Sequence, residues 1–187
     1  MNDPLVGSET QQELLHIARD SIRTGLDGLP YHPPRSEDPA LDRVAGAFVT
    51  LHAAGALRGC IGTLEGTRPL GQAVAELARS AAFHDPRFPA LTKREWPAIQ
   101  LEISVLSPLR VISDPREVQV GRHGLVLSQE GQRGVLLPQV AVEYGWDRET
   151  FLEHTCRKAG LAPDAWRRGA RIEVFEAQVF GEDAPSP

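Results

Sequence analysis

The chain of 187 residues has an apolar share of 41%, a charged share of 24% and a formal net charge of −5. These values are typical of a folded globular protein, and the acidic balance gives no general attraction to nucleic acid or anionic membranes. Its two cysteines lie too far apart to suggest a disulfide framework, and no stretch is apolar for long enough to span a membrane. We therefore expect a cytoplasmic protein without a membrane segment.

The predicted elements mix helices with β-hairpins. A capping pattern at Ser8 predicts a helix over 9–24, a second helix follows Thr67 and ends before His84, and a third runs from the cap Asp147 to Ala159. Strands are predicted at 46–51 and 57–64 as a hairpin, at 99–105, at 118–120, at 125–127 and 134–137 as a second hairpin, and at 172–180. Because no strict β-α-β alternation is present, the pattern predicts an α+β fold with mostly antiparallel sheet.

The run LRGCIGT at 57–63 places Cys60 inside a predicted strand. Alternation along a regular strand puts Arg58, Cys60 and Gly62 on one face, where the guanidinium favours a thiolate and attracts an anion. The flanking glycines remove side-chain cover and indicate a bulge or a close approach of ligand or backbone. The alternative is that Cys60 is a small buried apolar residue.

Other candidate groups lie in loops. His123, between two glycines, is a candidate acid, base or ligand, although a turn histidine is often satisfied by the main chain. Asp85 and Arg87 flank a proline and are expected either to lock the loop as an ion pair or to contact a ligand. A nucleophile arrangement of Cys60 with His84 and Asp85 is a further hypothesis. No C-x-x-C or H-x-x-x-H pair indicates a metal site.

The run LRGCIGT resembles the hallmark of the AMMECR domain family, also called AmmeMemoRadiSam system protein A. Further similar motifs follow in the family's order: DPRFP at 85–89, GRHG at 121–124, LPQV at 137–140 and GWD at 145–147. The resemblance implies a single domain over residues 1–187, ordered from about 9 to 180, with two interleaved subdomains. It also implies two unequal lobes with a groove between them, which the cysteine segment faces.

Carried over position by position, the resemblance implies a set of groove residues. They are Arg58, Gly59, Cys60, Gly62, Asp85, Arg87, His123 and Glu143. We expect Cys60, His123 and Glu143 to be catalytic and the others to bind ligand. The resemblance also implies a Memo-like partner, similar to extradiol dioxygenases, and a radical SAM enzyme, but no particular reaction or cofactor.

The leading functional hypothesis is an enzyme, or an enzyme subunit, whose cleft is centred on Cys60. In it Arg58 stabilises the thiolate or an anionic group, and His123 or Glu143 moves protons. The alternative is a non-catalytic binding module in which Arg58 and Arg87 grip a carboxylate or phosphate of a partner. Nucleic-acid binding is disfavoured by the net charge and by the small number of aromatic residues.

Overall fold

The computed structural model describes residues 5–182. They form two compact units: unit 1 comprises residues 5–106 and 178–182, and unit 2 comprises Ser107–Ala177. In chain order the elements are α1 (Ser8–Leu26), β1 (Ala47–Ala53), β2 (Ala56–Thr63), α2 (Leu70–Phe83), β3 (Ile99–Leu106), β4 (Arg110–Ile112), β5 (His123–Gln129), β6 (Gln132–Leu136), α3 (Pro138–Glu143), α4 (Arg148–Lys158) and β7 (Arg171–Gly181). The strand pairs are antiparallel, which confirms the predicted α+β class.

The two helices of unit 1 pack against each other through apolar and small residues. On α1 the buried apolar residues are Leu14, Ile17, Ala18 and Ile22. Their spacing of three and four residues makes one continuous apolar stripe along the helix. The buried residues of α2 include four alanines, and Ser21 of α1 donates from Oγ to the carbonyl oxygen of Ala75 at 2.7 Å. Small side chains on α2 thus let the helices approach closely.

The predicted caps of these helices are wrong. Ser8 is the first helical residue of α1, Gly7 precedes it as N-cap, and no side chain caps this helix. Thr10 instead donates from Oγ1 to Asp38 at 2.6 Å, which ties the helix to the proline-rich segment. The second helix begins at Leu70 after Pro69 rather than after Thr67, since proline suits the start of a helix.

The sheet of unit 1 has the strand order β2-β1-β3-β7, with only the C-terminal end of β7 belonging to this unit. The β1–β2 hairpin turns through Ala54 and Gly55, both with left-handed φ (49° and 77°). Left-handed values at both central residues are typical of a tight two-residue hairpin turn. The buried core face of β1 and β3 carries Val49, Leu51, Leu101 and Ile103.

The strands of unit 2 follow the order β4-β7-β5-β6. The second predicted hairpin is confirmed as β5 and β6, with its turn at Glu130 and Gly131. The predicted strand at 118–120 is wrong: a short 3-10 turn, capped by the Asp114 carboxylate, occupies Pro115–Glu117, and the strand lies earlier, at β4. Asp147 caps α4 as predicted, because its Oδ1 accepts the Thr150 N–H at 2.8 Å.

Candidate functional site

Cys60 lies in the middle of β2, on the sheet face opposite α2. Its neighbour Gly59 faces α2, because a Cβ atom there would overlap the carbonyl oxygen of Ala81. Successive side chains of a strand point to opposite faces, so the Cys60 thiol projects from the other side. The side chain is partly exposed, and Thr50, directly opposite on β1, donates from Oγ1 to Sγ at 3.2 Å.

A bulge next to Cys60 breaks the expected alternation. Gly59 pairs with Leu51, but the next pair is Leu57 with His52, so Arg58 is the extra residue in β2. Paired residues share a face, which places Leu57 on the face of Cys60. The prediction that Leu57 lies on the other face is therefore wrong, and simple alternation no longer assigns a face to Arg58.

Two of the three nitrogens of the Arg58 guanidinium are engaged by the protein, while Nη1 is buried without a hydrogen-bond partner among the described residues. Its Nε donates to Oε1 of Glu95 and its Nη2 to the carbonyl oxygen of Pro89, both at 2.9 Å. Glu95 also accepts the N–H and the hydroxyl of Thr92, which closes a turn at 92–95. The Arg58 hydrogen bond, with help from Thr92, lowers the pKa of Glu95 to about 2. The side chain of Arg58 is only 11% exposed, so this cation serves first as an internal ion-pair partner.

Asp85 and Arg87 form the predicted loop lock and also bind the backbone of Cys60. Asp85 Oδ2 accepts the Cys60 N–H at 2.9 Å, and Arg87 Nη2 donates to the Cys60 carbonyl oxygen at 3.1 Å. The two side chains are paired at 2.7 Å. They bind the peptide groups of Cys60 on the edge of β2 that no other strand of residues 5–182 covers. We call this arrangement the Asp85–Arg87 clip.

The clip explains the electrostatics of its members and weakens the proposed triad. Hydrogen bonds from Arg87, opposed in part by burial, hold the pKa of the Asp85 carboxyl well below its usual range. The carboxylate is therefore charged, with both oxygens engaged by Arg87 or by the Cys60 N–H. His84 is exposed and makes an edge contact with the ring of Phe83. Asp85 thus orients the Cys60 backbone rather than a histidine.

The two glycines beside Cys60 make room for protein atoms. Gly59 admits the backbone of α2 at Ala81, and Gly62 admits the ring of Phe48, which a Cβ atom would overlap. Both positions were expected to contact a ligand. The structure fills the space at each of them with protein, so close packing accounts for both glycines, and a ligand contact there stays a prediction.

Two titratable groups that share the face of Cys60 are His52 and Glu102. The register puts Cys60, Thr50 and Glu102 in one row across β2, β1 and β3. His52 follows Thr50 on the same face, and its Nε2 lies 3.9 Å from Oε1 of Glu102. The first strand predicted from the sequence ends at residue 51, one residue before His52, whereas β1 continues to Ala53. Extending the alternation of β1 by two residues in the sequence places His52 on the same face as Thr50.

The structure places His123 and Glu143 in unit 2. His123 begins β5 and is 5% exposed, and its Nδ1 accepts the Gln119 N–H at 3.2 Å. Burial, reinforced by Arg122, lowers its pKa, so the ring is neutral near pH 7. The proton of a neutral ring with Nδ1 as acceptor is on Nε2, which suits hydrogen-bond donation more than proton abstraction. Glu143 ends α3 and is exposed.

Residues 5–182 contain neither a metal-binding cluster nor a helix that could span a membrane. No group of three or more His, Cys, Asp or Glu side chains in this range is arranged to hold a metal ion. None of the helices in this range combines the length and apolar composition that crossing a membrane requires.

Known proteins are similar to this chain over three quarters or more of its length. Protein PF1979 of Pyrococcus furiosus is 41% identical over 192 residues, covering 96% of this chain and 91% of the relative. Protein MJ0810 of Methanocaldococcus jannaschii is 48% identical over 149 residues, covering 75% of this chain and 74% of the relative. The crystal structure of the uncharacterised protein PH0010 from Pyrococcus horikoshii has a TM-score of 0.88 at 38% identity, covering 97% of this chain and 96% of that one.

The family model for AMMECR1 matches residues 15–180, a range that contains every motif on which the resemblance was based. Together with relatives of this identity and coverage, this match confirms the expected family. The chain belongs to the AMMECR1 family.

Proposed function

We propose that the chain is an enzyme, or a subunit of one, that works through the Cys60 thiol. The proposal rests on the hydrogen bonds that hold Cys60 and its partly exposed thiol in place. The Asp85–Arg87 clip binds both peptide groups of Cys60, while Thr50 donates a hydrogen bond to its sulfur. A hydrogen bond to sulfur favours the thiolate, which is the nucleophilic form of cysteine.

His52 and Glu102 extend this proposal to proton transfer. Residues diagonal to each other on neighbouring antiparallel strands are roughly 7–8 Å apart at Cα, a distance that an imidazole side chain can bridge. His52 stands in that relation to Cys60 through the Thr50–Cys60 pair. In this proposal the imidazole takes the thiol proton and the thiolate adds to a carbonyl carbon of a substrate, whose C=O π electron pair moves onto the oxygen. The imidazolium, stabilised by Glu102, returns the proton to that oxygen, so the addition needs no leaving group. Roles for His123 and Glu143 in moving protons stay predictions.

The reactivity of the two cysteines tests the proposal. In the native protein we expect iodoacetamide to alkylate Cys60 and to leave Cys156 unlabelled, as judged by mass spectrometry of peptides. Cys156 is fully buried, and burial raises the pKa of its thiol. It should react only after unfolding in denaturant. Equal labelling of both residues, or labelling of Cys156 first, would contradict the proposal.

Substitution of His52 tests the proton-transfer step. We expect His52→Gln to slow alkylation of Cys60 at neutral pH by about tenfold, because the thiol loses its proton acceptor. The matched control is His16→Gln, since His16 is an exposed histidine on α1. An unchanged rate in His52→Gln would remove His52 from the mechanism.

The family resemblance supports a second element of the proposal, that the chain acts in the cytoplasm with a Memo-like protein and a radical SAM enzyme. Free cysteines suit a reducing compartment. Co-purification of the three proteins tests the partnership. Binding that survives Cys60→Ala but is lost in Arg58→Ala would favour the alternative of a non-catalytic binding module. The internal ion pair of Arg58 with Glu95 disfavours that alternative, because the guanidinium already has an anionic partner.

A further inference from the structure

A pocket of about 360 Å³ lies within unit 2. The wall of the pocket includes the charged and imidazole side chains of Arg110, Glu117, Arg122, His123 and Glu176. A volume of this size is within the range that holds small molecules. The proposed thiol chemistry of unit 1 does not account for this pocket.

The pocket forms where the core face of the unit 2 sheet changes from apolar to polar. Arg110 of β4 pairs with Val174 of β7, and Glu176 of β7 pairs with His123 of β5, so these four side chains share one face. Two residues further into the unit, the same strands place apolar residues on that face. Those residues are Ile112 on β4, Val174 on β7 and Leu125 on β5, and all three are buried. At this end of the sheet, β4, β7 and β5 thus each carry a polar side chain on the face that carries core residues further into the unit. This arrangement lines the pocket with polar groups.

His123 is fixed in this wall as a neutral donor. The turn that precedes it is held by the His123 N–H bond to the Gln119 carbonyl oxygen at 2.9 Å, with Gly121 at a left-handed φ of 83°. The Gln119 N–H in return donates to Nδ1, so the ring proton lies on Nε2. Because the ring is almost fully buried, its orientation is set before any ligand arrives.

The charges of the pocket are balanced in pairs. Arg110 contacts Glu117 and Arg122 contacts Glu176, each at 2.9 Å. All four side chains are at least about a third exposed, and ion pairs with that exposure contribute little to stability. A bound ligand can therefore recruit these groups at small cost. It meets two guanidinium groups and two carboxylates in one cavity.

We propose that this pocket binds a small zwitterion of the amino-acid class, with a carboxylate and an ammonium group on one molecule. The ligand carboxylate would be held by the guanidinium groups of Arg110 and Arg122 and by the Nε2–H of His123. The ammonium group would contact the carboxylates of Glu117 and Glu176. A zwitterion places a charge of opposite sign beside every charged group of the wall, in addition to its ion-pair partner in the protein, whereas a plain anion would face two carboxylates.

Titration of the full chain with each standard L-amino acid, followed by NMR, tests this proposal. We expect at least one of them to shift the resonances of His123 and its neighbours in a saturable manner. The N-acetyl and methyl ester derivatives of that amino acid should bind about tenfold more weakly, since each lacks one charge. Arg110→Gln should weaken binding by a similar factor, and Arg122→Gln provides a second variant. The matched control Arg171→Gln removes an exposed arginine whose contact is Glu173, and it should leave the affinity unchanged.

Three results would overturn the proposal. They are the absence of any saturable shift, binding of inorganic phosphate or of the N-acetyl derivative as tight as that of the amino acid, and an equal effect of Arg110→Gln and Arg171→Gln. The readout is a ligand contact in unit 2, so it is independent of the outcome of the Cys60 experiments.

Discussion

Replacement of Gly59 by alanine is expected to destabilise the protein by about 3 kcal/mol or more. The added Cβ would overlap the carbonyl oxygen of Ala81 in α2, and a backbone oxygen cannot turn away as a side chain can. Either the helix or β2 has to move. Because Cys60 is the next residue, a shift of β2 also lengthens the hydrogen bond from the Cys60 N–H to Asp85.

Urea denaturation of the wild type and the variant measures this effect. The matched control is Gly71→Ala on α2, where a Cβ atom would meet its neighbours at 3.6 Å or more, an ordinary contact distance. Since alanine is the better helix former, this control should stabilise the protein by up to about 1 kcal/mol. Opposite signs for the two glycines are expected. A Gly59→Ala protein as stable as the wild type would show that β2 and α2 are less tightly packed than in the structure.

Local patterns predicted the elements that depend on local interactions. The β1–β2 hairpin follows from alternating apolar residues on both sides of an Ala-Gly turn, and α4 follows from the Asp147 cap. The Asp85–Arg87 ion pair was also predictable, because only one residue separates its members. Each of these features is formed by neighbours in the chain, whose geometry the local sequence largely determines.

The surroundings of Cys60 depend on contacts distant in sequence, and these could not be predicted in the same way. Alternation assumes a regular strand, but the bulge at Arg58 is visible only in the register with β1. The clip joins Cys60 to residues 25 and 27 positions away, and Glu102 reaches the row of Cys60 only because β3 pairs with β1. The polar end of the unit 2 sheet, by contrast, could be predicted from the sequence. His123 and Glu176 occupy positions where the apolar alternation of their strands would place core residues.

Loss of the Asp85 carboxylate is the second large effect that we expect. Asp85→Asn should reduce the free energy of unfolding by about 3 kcal/mol at neutral pH. The buried carboxylate accepts hydrogen bonds from the Cys60 N–H and from the backbone and guanidinium of Arg87. An amide has no charge and only one acceptor oxygen, so it cannot serve all of these donors. The matched control is Asp164→Asn, which removes an exposed carboxylate paired with Arg168 and should change the stability by less than about 1 kcal/mol.

The pH dependence of the difference in unfolding free energy between the wild type and Asp85→Asn shows how much of the effect is due to the charge of Asp85. The folded-state pKa of Asp85 lies below its unfolded-state value, so its charge stabilises the protein fully above about pH 4. That contribution is lost progressively as the pH falls below this value, whereas Asp85→Asn has no such contribution to lose. The stability curves of the two proteins should therefore approach each other between about pH 4 and pH 2. Glu95 titrates in the same range in both proteins and cancels in the comparison. A difference that stays constant across this range would mean that the clip stabilises Cys60 through geometry alone and not through the charge of Asp85.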